Sequence, residues 1–156
     1  MRTPAFLLAL AAILGAITPA AAQTVDADQA AVRHTVERFL DDLGNRRLDN
    51  LPAMFAPRAT MVVVRQRDGQ WTRSHQTFDE WLAGLKGQAS PTVFREPLAN
   101  VTVHVESGQL AFLRADFTVM VDGQARSHGV DYFTLVKDEG TWKILNGSYT
   151  SIPGPP

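Results

Sequence analysis

Apolar residues early in the chain recur at three- and four-residue steps, a spacing that places them along one side of a helix. In residues 28–45 they are Val32, Val36, Phe39, Leu40 and Leu43. The segment closes on Gly44 and Asn45, which tolerate the left-handed backbone of a helix end. The pattern predicts an amphipathic helix over residues 28–45.

Two shorter helices are predicted after it. Residues 48–55 carry apolar side chains on one side and precede Pro57, which cannot continue a helix. Residues 78–85 follow Thr77, and Glu80 stands three positions later, the spacing of a capping box.

The rest of the chain is rich in β-branched residues and turn sequences. A hairpin is predicted at 59–66 and 71–74, and four further strands at 94–106, 110–121, 126–137 and 141–150. We therefore predict an α+β domain over residues 23–150, in which three N-terminal helices pack on one face of an antiparallel sheet. Residues 151–156 contain three prolines and are expected to form a loose tail.

The turn at Asp122-Gly123 predicts the strand register. A two-residue turn pairs Val121 with Gln124, which places Arg114 opposite Asp131. Carried along the sheet, this register puts an apolar region on one face, and a polar cluster beside it: Arg114, Asp116, Asp131, Asn146 and Ser148. Apolar walls with a few convergent polar groups are typical of a ligand pocket.

The opposite face is also predicted to be apolar. The same register places Leu113, Phe117, Tyr132 and Tyr149 on it, where a solvated face would carry charges. We therefore expect a homodimer formed through this convex face of the sheet.

The net charge and the leader sequence limit which partners the protein can have. The formal net charge is -1, which argues against a nucleic-acid surface. Residues 1–22 have a positive start, a short apolar stretch and a small-residue cleavage site, which predicts a bacterial-type export signal and a periplasmic or secreted protein. After its removal, no apolar run is long enough for a membrane helix.

Four residues are the candidate catalytic groups. Asp131 or Asp116 would act as general base, with Arg114 or Asn146 stabilising negative charge. Alternatively, Arg114 and Asp131 form a structural ion pair, Asp116 is an exposed acid, and Asn146 satisfies nearby backbone. Residues expected to line the pocket, or simply to fill the core, are Trp71, Met54, Met61, Phe112, Phe133 and Trp142.

No cofactor or metal is expected. There is no cysteine, and the four histidines lack metal-site spacing or acidic neighbours. Glycine-rich phosphate loops and the nucleophile elbow of hydrolases are also missing.

Three segments carry a resemblance to a known family. They are 45–59, which begins Asn-Arg-Arg-Leu-Asp, 78–82, and 128–144 with His-Gly-Val-Asp-Tyr-Phe. Here the chain resembles the nuclear-transport-factor-2-like superfamily, which includes SnoaL-like cyclases, ketosteroid isomerases and scytalone dehydratase. Its ending is similar to exported lumazine-binding-type members.

The resemblance implies a cone in which the helices cover the concave face of a strongly curved sheet. It also implies pocket carboxylates or a histidine, and dimers formed by the sheet. The isomerases' set of one tyrosine and two acids is not matched, because the predicted register points Tyr132 and Tyr149 outward.

Three functions remain open at this point. In the first, the conical pocket binds a small, mostly apolar molecule. In the second, the protein is a cofactor-independent isomerase, cyclase or dehydratase that uses a pocket aspartate as general base. In the third, the domain serves only for association and its cone is filled by side chains.

Overall fold

A computed structural model describes residues 20–156 as three helices and six strands. The helices are α1 (Ala20–Gly44), a 3-10 helix (Leu48–Met54) and α2 (Phe78–Lys86). The strands are β1 (Phe55–Arg67), β2 (Gln70–Thr77), β3 (Leu98–Glu106), β4 (Leu110–Val121), β5 (Gln124–Asp138) and β6 (Thr141–Pro153). Residues 1–19 of the predicted export signal lie outside the described residues, and the signal stays a prediction.

The six strands form one mixed sheet in the order β2-β1-β6-β5-β4-β3. After α2 the chain crosses to the far edge and returns strand by strand, so that β6 arrives beside β1 and runs parallel to it. The prediction of a purely antiparallel sheet was therefore wrong. The prediction of three N-terminal helices was also wrong, because α2 follows the β1–β2 hairpin and the second element is a 3-10 helix.

The capping box predicted before α2 is present. The Thr77 hydroxyl accepts a hydrogen bond from the Glu80 N–H at 3.2 Å, and the Glu80 carboxylate accepts one from the Thr77 N–H at 2.9 Å. This arrangement satisfies two N–H groups that a helix start otherwise leaves unpaired.

A β-bulge at Arg126 changes the register of β4 against β5. The turn pairs Val121 with Gln124 as predicted, but Val119 then pairs with Ser127 and leaves Arg126 as an extra residue. Because side chains alternate between faces, one extra residue turns the rest of the strand over relative to its partner. Arg114 consequently pairs with Tyr132, and Ala115 pairs with Asp131.

A second bulge at Leu145 does the same to β6. Leu135 pairs with Ile144, yet Thr134 pairs with Asn146, so Leu145 has no partner. Trp142 and Ile144 thus share the helix-covered face with Tyr149 rather than with Asn146. We call the face covered by the helices the inner face and the opposite one the outer face.

The core lies between the helices and the inner face. Phe39 of α1 contacts Phe55, Phe133 and Trp81, with ring centroids 5.2, 5.8 and 6.1 Å apart. Leu113 and Phe117 of β4, which the sequence predicted on the outer face, are buried here together with Ala111 and Ala115. The Arg126 bulge explains this difference.

Both ends of the last four-strand region differ from the prediction. β3 begins at Leu98 rather than at residue 94, directly after Pro97, which cannot donate a ladder hydrogen bond. β6 continues through Pro153, so half of the residues expected in the loose tail belong to the sheet. No helix within residues 20–156 has the length and apolar character needed to cross a bilayer.

Candidate functional site

A cavity of about 460 Å³ opens between the two α-helices, the inner face and the irregular segment 88–97. Its walls are mainly apolar, with Phe39, Leu43, Met61, Trp81, Phe117 and Phe133 among the lining residues. The volume is within the range of small-molecule sites, so the cone is not filled by its own side chains.

Segment 88–97, which we call the cover loop, is tied down at one end of the cavity. The Phe94 N–H donates to the Gly44 carbonyl at 3.0 Å, and Arg95 exchanges two backbone hydrogen bonds with Met120. A side chain at position 44 would place its Cβ 2.4 Å from the Phe94 carbonyl oxygen, so only glycine allows this approach. The anchored stretch carries Glu96 into the cavity wall.

Two carboxyl groups meet in the cavity. Asp131 of β5 is only 2% exposed, and it forms a hydrogen bond with Glu96 of the cover loop. A hydrogen bond between two carboxyl groups requires that they hold at least one proton. Asp131 Oδ2 accepts no hydrogen bond from an N–H or hydroxyl group within residues 20–156.

Burial determines the protonation of this pair. Burial, followed by the charge of Glu96 and the hydrogen bond with it, raises the pKa of Asp131 to about 9. Burial also raises the pKa of Glu96 to about 7, against the opposing effect of the hydrogen bond from Asp131. Burial thus keeps at least one proton on the pair at neutral pH.

Tyr149 is the third polar group of the cavity. It lines the cavity beside Trp81, and its hydroxyl can both donate and accept a hydrogen bond. Burial raises the pKa of Tyr149; Arg65 opposes this rise, and the charges of Glu96 and Asp131 add to it. The predicted outward orientation of Tyr149 was wrong, because the Leu145 bulge turns it inward.

The predicted pair of Arg114 and Asp131 does not form. Arg114 and Asp116 lie on the outer face, where Arg114 Nη2 is 2.5 Å from Asp116 Oδ1 and Asn100 Nδ2 donates to Asp116 at 2.7 Å. The hydrogen bonds from Asn100 and, to a smaller extent, from Arg114 lower the pKa of Asp116. Burial in the predicted apolar pocket would instead have raised this pKa. The Arg126 bulge separates these two residues from Asp131.

Asn146 also lies outside the cavity, because the Leu145 bulge turns it to the outer face. Its amide donates to Thr60 Oγ1 at 2.9 Å and its carbonyl oxygen accepts from Ser148 Oγ at 2.6 Å. The Asn146 side chain therefore pairs the polar groups of its neighbours, which corresponds to the structural alternative for this residue.

The predicted lining residues divide into three groups. Met61 and Phe133 line the cavity. Met54 and Trp142 are buried in the core, where the Trp142 indole donates to Asp28 Oδ1 at 3.1 Å. Trp71 and Phe112 are exposed on the outer face by 52% and 39%.

Sequence reasoning missed Glu96, Arg46 and Arg65 and misplaced Tyr149. For Tyr149 a signal exists: Gly147 inside a predicted strand is typical of a nearby bulge. Residues 94–97 were interpreted as strand, and nothing in their pattern places Glu96 beside Asp131. No cluster of three or more histidine, aspartate or glutamate residues that could hold a metal ion occurs in the described part of the chain.

The comparisons with solved structures agree with this geometry. A protein of unknown function with a cystatin-like fold from Nostoc punctiforme is 16% identical, with a TM-score of 0.67, covering 83% of this chain and 95% of that one. An NTF2-like protein from Novosphingobium aromaticivorans is 17% identical, with a TM-score of 0.67 and coverage of 89% and 91%. A protein described as "Putative Scytalone Dehydratase" from the same organism is 14% identical, with a TM-score of 0.63 and coverage of 83% and 87%.

No curated protein matches the chain. A family model does: the one described as "Putative lumazine-binding" matches residues 27–150, nearly all of the described chain. The match spans every element from α1 to β6. The chain therefore belongs to this lumazine-binding-like family and has the cone fold of the nuclear-transport-factor-2-like superfamily.

Proposed function

We propose that the cavity binds a small, mostly apolar molecule through one polar group that both donates and accepts a hydrogen bond, such as a hydroxyl. The observation that carries this proposal is Asp131 Oδ2, which is buried in the wall of the cavity of about 460 Å³ and meets no N–H or hydroxyl donor within residues 20–156. An unpaired buried polar atom costs about 1–3 kcal/mol, which a ligand hydrogen bond would recover.

Tyr149 also favours a ligand with a group that both donates and accepts a hydrogen bond. Its hydroxyl can donate to a ligand oxygen, and an oxygen of the carboxyl pair can accept from that ligand's own hydrogen. The carboxyl pair holds a proton but has four oxygens, so it keeps oxygens that can accept a hydrogen bond from a ligand.

The test compares 2-naphthol with 2-methylnaphthalene, which differ only in a hydroxyl replaced by a methyl group. We expect 2-naphthol to bind about tenfold more tightly, the factor that corresponds to one hydrogen bond of ~1.4 kcal/mol. Tyr149→Phe and Asp131→Leu should each reduce this preference and leave the binding of 2-methylnaphthalene unchanged. Equal affinities in the unmodified protein contradict the proposed polar contact, and no binding of either compound contradicts a ligand site.

A second candidate function is proton transfer, as in an isomerase or dehydratase. Glu96 favours it, because a carboxyl group whose pKa is about 7 is suited to take and return protons at neutral pH. Tyr149 would then donate to a carbonyl oxygen as negative charge develops on it. The two acids and the tyrosine belong to different elements and meet only in the cavity.

This candidate is tested by hydrogen–deuterium exchange at the methyl group of 2-acetylnaphthalene in D₂O, followed by NMR. An enzyme of this kind should accelerate the exchange, and Glu96→Gln should abolish the acceleration while the ketone still binds. Exchange at the buffer rate, with the ketone bound, supports a binding protein without this activity.

A further inference from the structure

Two arginines line the same cavity as the carboxyl pair. Arg46 lies in the turn after α1, and its guanidinium donates to the Leu85 carbonyl at 2.7 Å and to Gln88 Oε1 at 3.2 Å. Both acceptors are neutral, so they hold the guanidinium in place without compensating its charge. Gln88 is exposed, which places Arg46 at the rim of the cavity.

Arg65 stands on β1, in the wall of the same cavity. It pairs with Ser151 of β6 and is half-buried. Within residues 20–156, neither Arg46 nor Arg65 takes part in a salt bridge, whereas Arg33, Arg47 and Arg114 all do.

The charge of the cavity lining is positive. It contains two arginines and two acids, and the acids hold at least one proton between them, while the whole chain has a formal net charge of -1. Neither arginine is among the groups that shift the pKa of Asp131 or of Glu96, although Arg65 acts on Tyr149. The arginines are therefore not counter-ions of the carboxyl pair.

We propose that Arg46 and Arg65 bind an anionic group, such as a carboxylate or sulfonate, of a ligand whose apolar body fills the cavity. The inference rests on the proposed function and adds the charge of the ligand to it. Guanidinium groups match planar and tetrahedral oxyanions through paired N–H donors. Because both arginines are half-buried, water screens their contact with an anionic group less than it would on an open surface.

The experiment uses two fluorescent probes that differ by one sulfonate: 8-anilinonaphthalene-1-sulfonate and the neutral N-phenyl-1-naphthylamine. We expect the anionic probe to bind about tenfold more tightly at low salt, and the difference to shrink as salt is raised. Arg65→Gln and Arg46→Gln should each weaken the anionic probe about fivefold and leave the neutral probe unchanged.

Two controls restrict the result to the cavity. Arg67→Gln removes an exposed arginine of the β1–β2 turn that does not line the cavity, and it should affect neither probe. Ser127→Trp fills the cavity and should abolish binding of both probes, and circular dichroism checks that this variant folds. Displacement of either probe by 2-naphthol shows, without a substitution, that the probe binds in the cavity.

The outcomes separate the two proposals. If the neutral probe binds in the cavity, but the sulfonate adds nothing and the arginine variants behave like Arg67→Gln, the charge inference is overturned and the proposed function stands. If neither probe binds in the cavity, the proposed function fails and the inference fails with it. A sulfonate preference that is lost in Arg65→Gln or Arg46→Gln supports both.

Discussion

The main energetic cost at the level of single residues lies at Asp131. Its carboxyl group is almost fully buried and forms a hydrogen bond with Glu96, and its Oδ2 meets no N–H or hydroxyl donor in the described part of the chain. A protein that needed only stability would gain by replacing such a group with an apolar one. Its position in a cavity, next to Tyr149 and Glu96, is typical of a functional carboxyl group.

The first prediction concerns the pH dependence of stability. The folded state holds a proton on Asp131 up to a pKa of about 9, whereas an unfolded aspartate releases it near pH 4. Between these values the folded state binds more protons, so the free energy of unfolding falls as pH rises, by up to about 1.4 kcal/mol per pH unit for one proton. Glu96, whose pKa is about 7, acts in the same direction up to that pH.

Urea unfolding at pH 5, 6, 7 and 8 measures this slope, and Asp131→Asn is the matched variant. The amide cannot ionise, so its unfolding free energy should depend less on pH and exceed that of the unmodified protein at pH 8. Glu96, which acts directly on Asp131, remains in the variant, as do Tyr149 and Arg65, which line the same cavity. Equal slopes for the two proteins would rule out a protonated Asp131.

At the level of elements, the sheet is shaped by bulges and by close backbone contacts at glycines. Gly129 on β5 is the sharpest case: a Cβ there would lie 2.0 Å from the Thr150 carbonyl oxygen and 2.9 Å from the Phe117 ring. Backbone on the neighbouring strand cannot move aside as a flexible side chain can. Glycine is therefore required at this position by space, not by its backbone angles.

Gly129→Ala should reduce the free energy of unfolding by more than about 2 kcal/mol, since the strands must separate to admit the methyl group. Gly84→Ala is the control, because a Cβ at that position of α2 meets nothing within 4 Å. In a helix this second change should stabilise the protein by about 0.5–1 kcal/mol. Chemical denaturation of both variants checks the pair, and effects of the same sign would contradict it.

The capping box of α2 gives a third prediction. Thr77→Ala removes the hydroxyl that accepts from the Glu80 N–H and should cost about 1 kcal/mol of stability. Thr77→Ser keeps the hydroxyl and should restore most of that loss. A similar cost for both variants would indicate that the Thr77 methyl group, rather than the cap, is responsible.

At the level of the whole molecule, the outer face carries an apolar surface without a partner in the described chain. Its exposed large residues on β4, β5 and β6 are Leu110, Phe112, Tyr132 and Leu145, each between 38% and 46% exposed. These residues differ from those predicted on this face, because the Arg126 bulge turns the predicted β4 residues Leu113 and Phe117 to the inner face. The homodimer through this face stays a prediction.

The fourth prediction tests that dimer. If the outer face is the interface, Phe112→Lys should convert the protein to a monomer, because a charge in an apolar contact is costly to bury. Light scattering after size exclusion measures the mass. Val93→Lys, which alters an exposed apolar residue of the cover loop, should leave the mass unchanged. A monomeric unmodified protein would refute this interface.

The order of elements in this protein could be read from local patterns. The periodicity of α1, the capping box at Thr77 and the two-residue turn at Asp122-Gly123 are encoded within a few residues, and the structure confirms all three. The resemblance to the superfamily came from such local segments as well. These features depend on neighbours along the chain, which a sequence displays directly.

Which face each strand presents was decided only by the tertiary structure. A bulge is one unpaired residue, and whether Arg126 or Leu145 takes that place depends on packing against the partner strand and the helices. Because side chains alternate, the bulge at Arg126 removed Arg114 and Asp116 from the site, and the bulge at Leu145 removed Asn146. It brought Tyr149 in, and the path of the cover loop brought Glu96 to Asp131, a contact between residues 35 positions apart that local pattern does not contain.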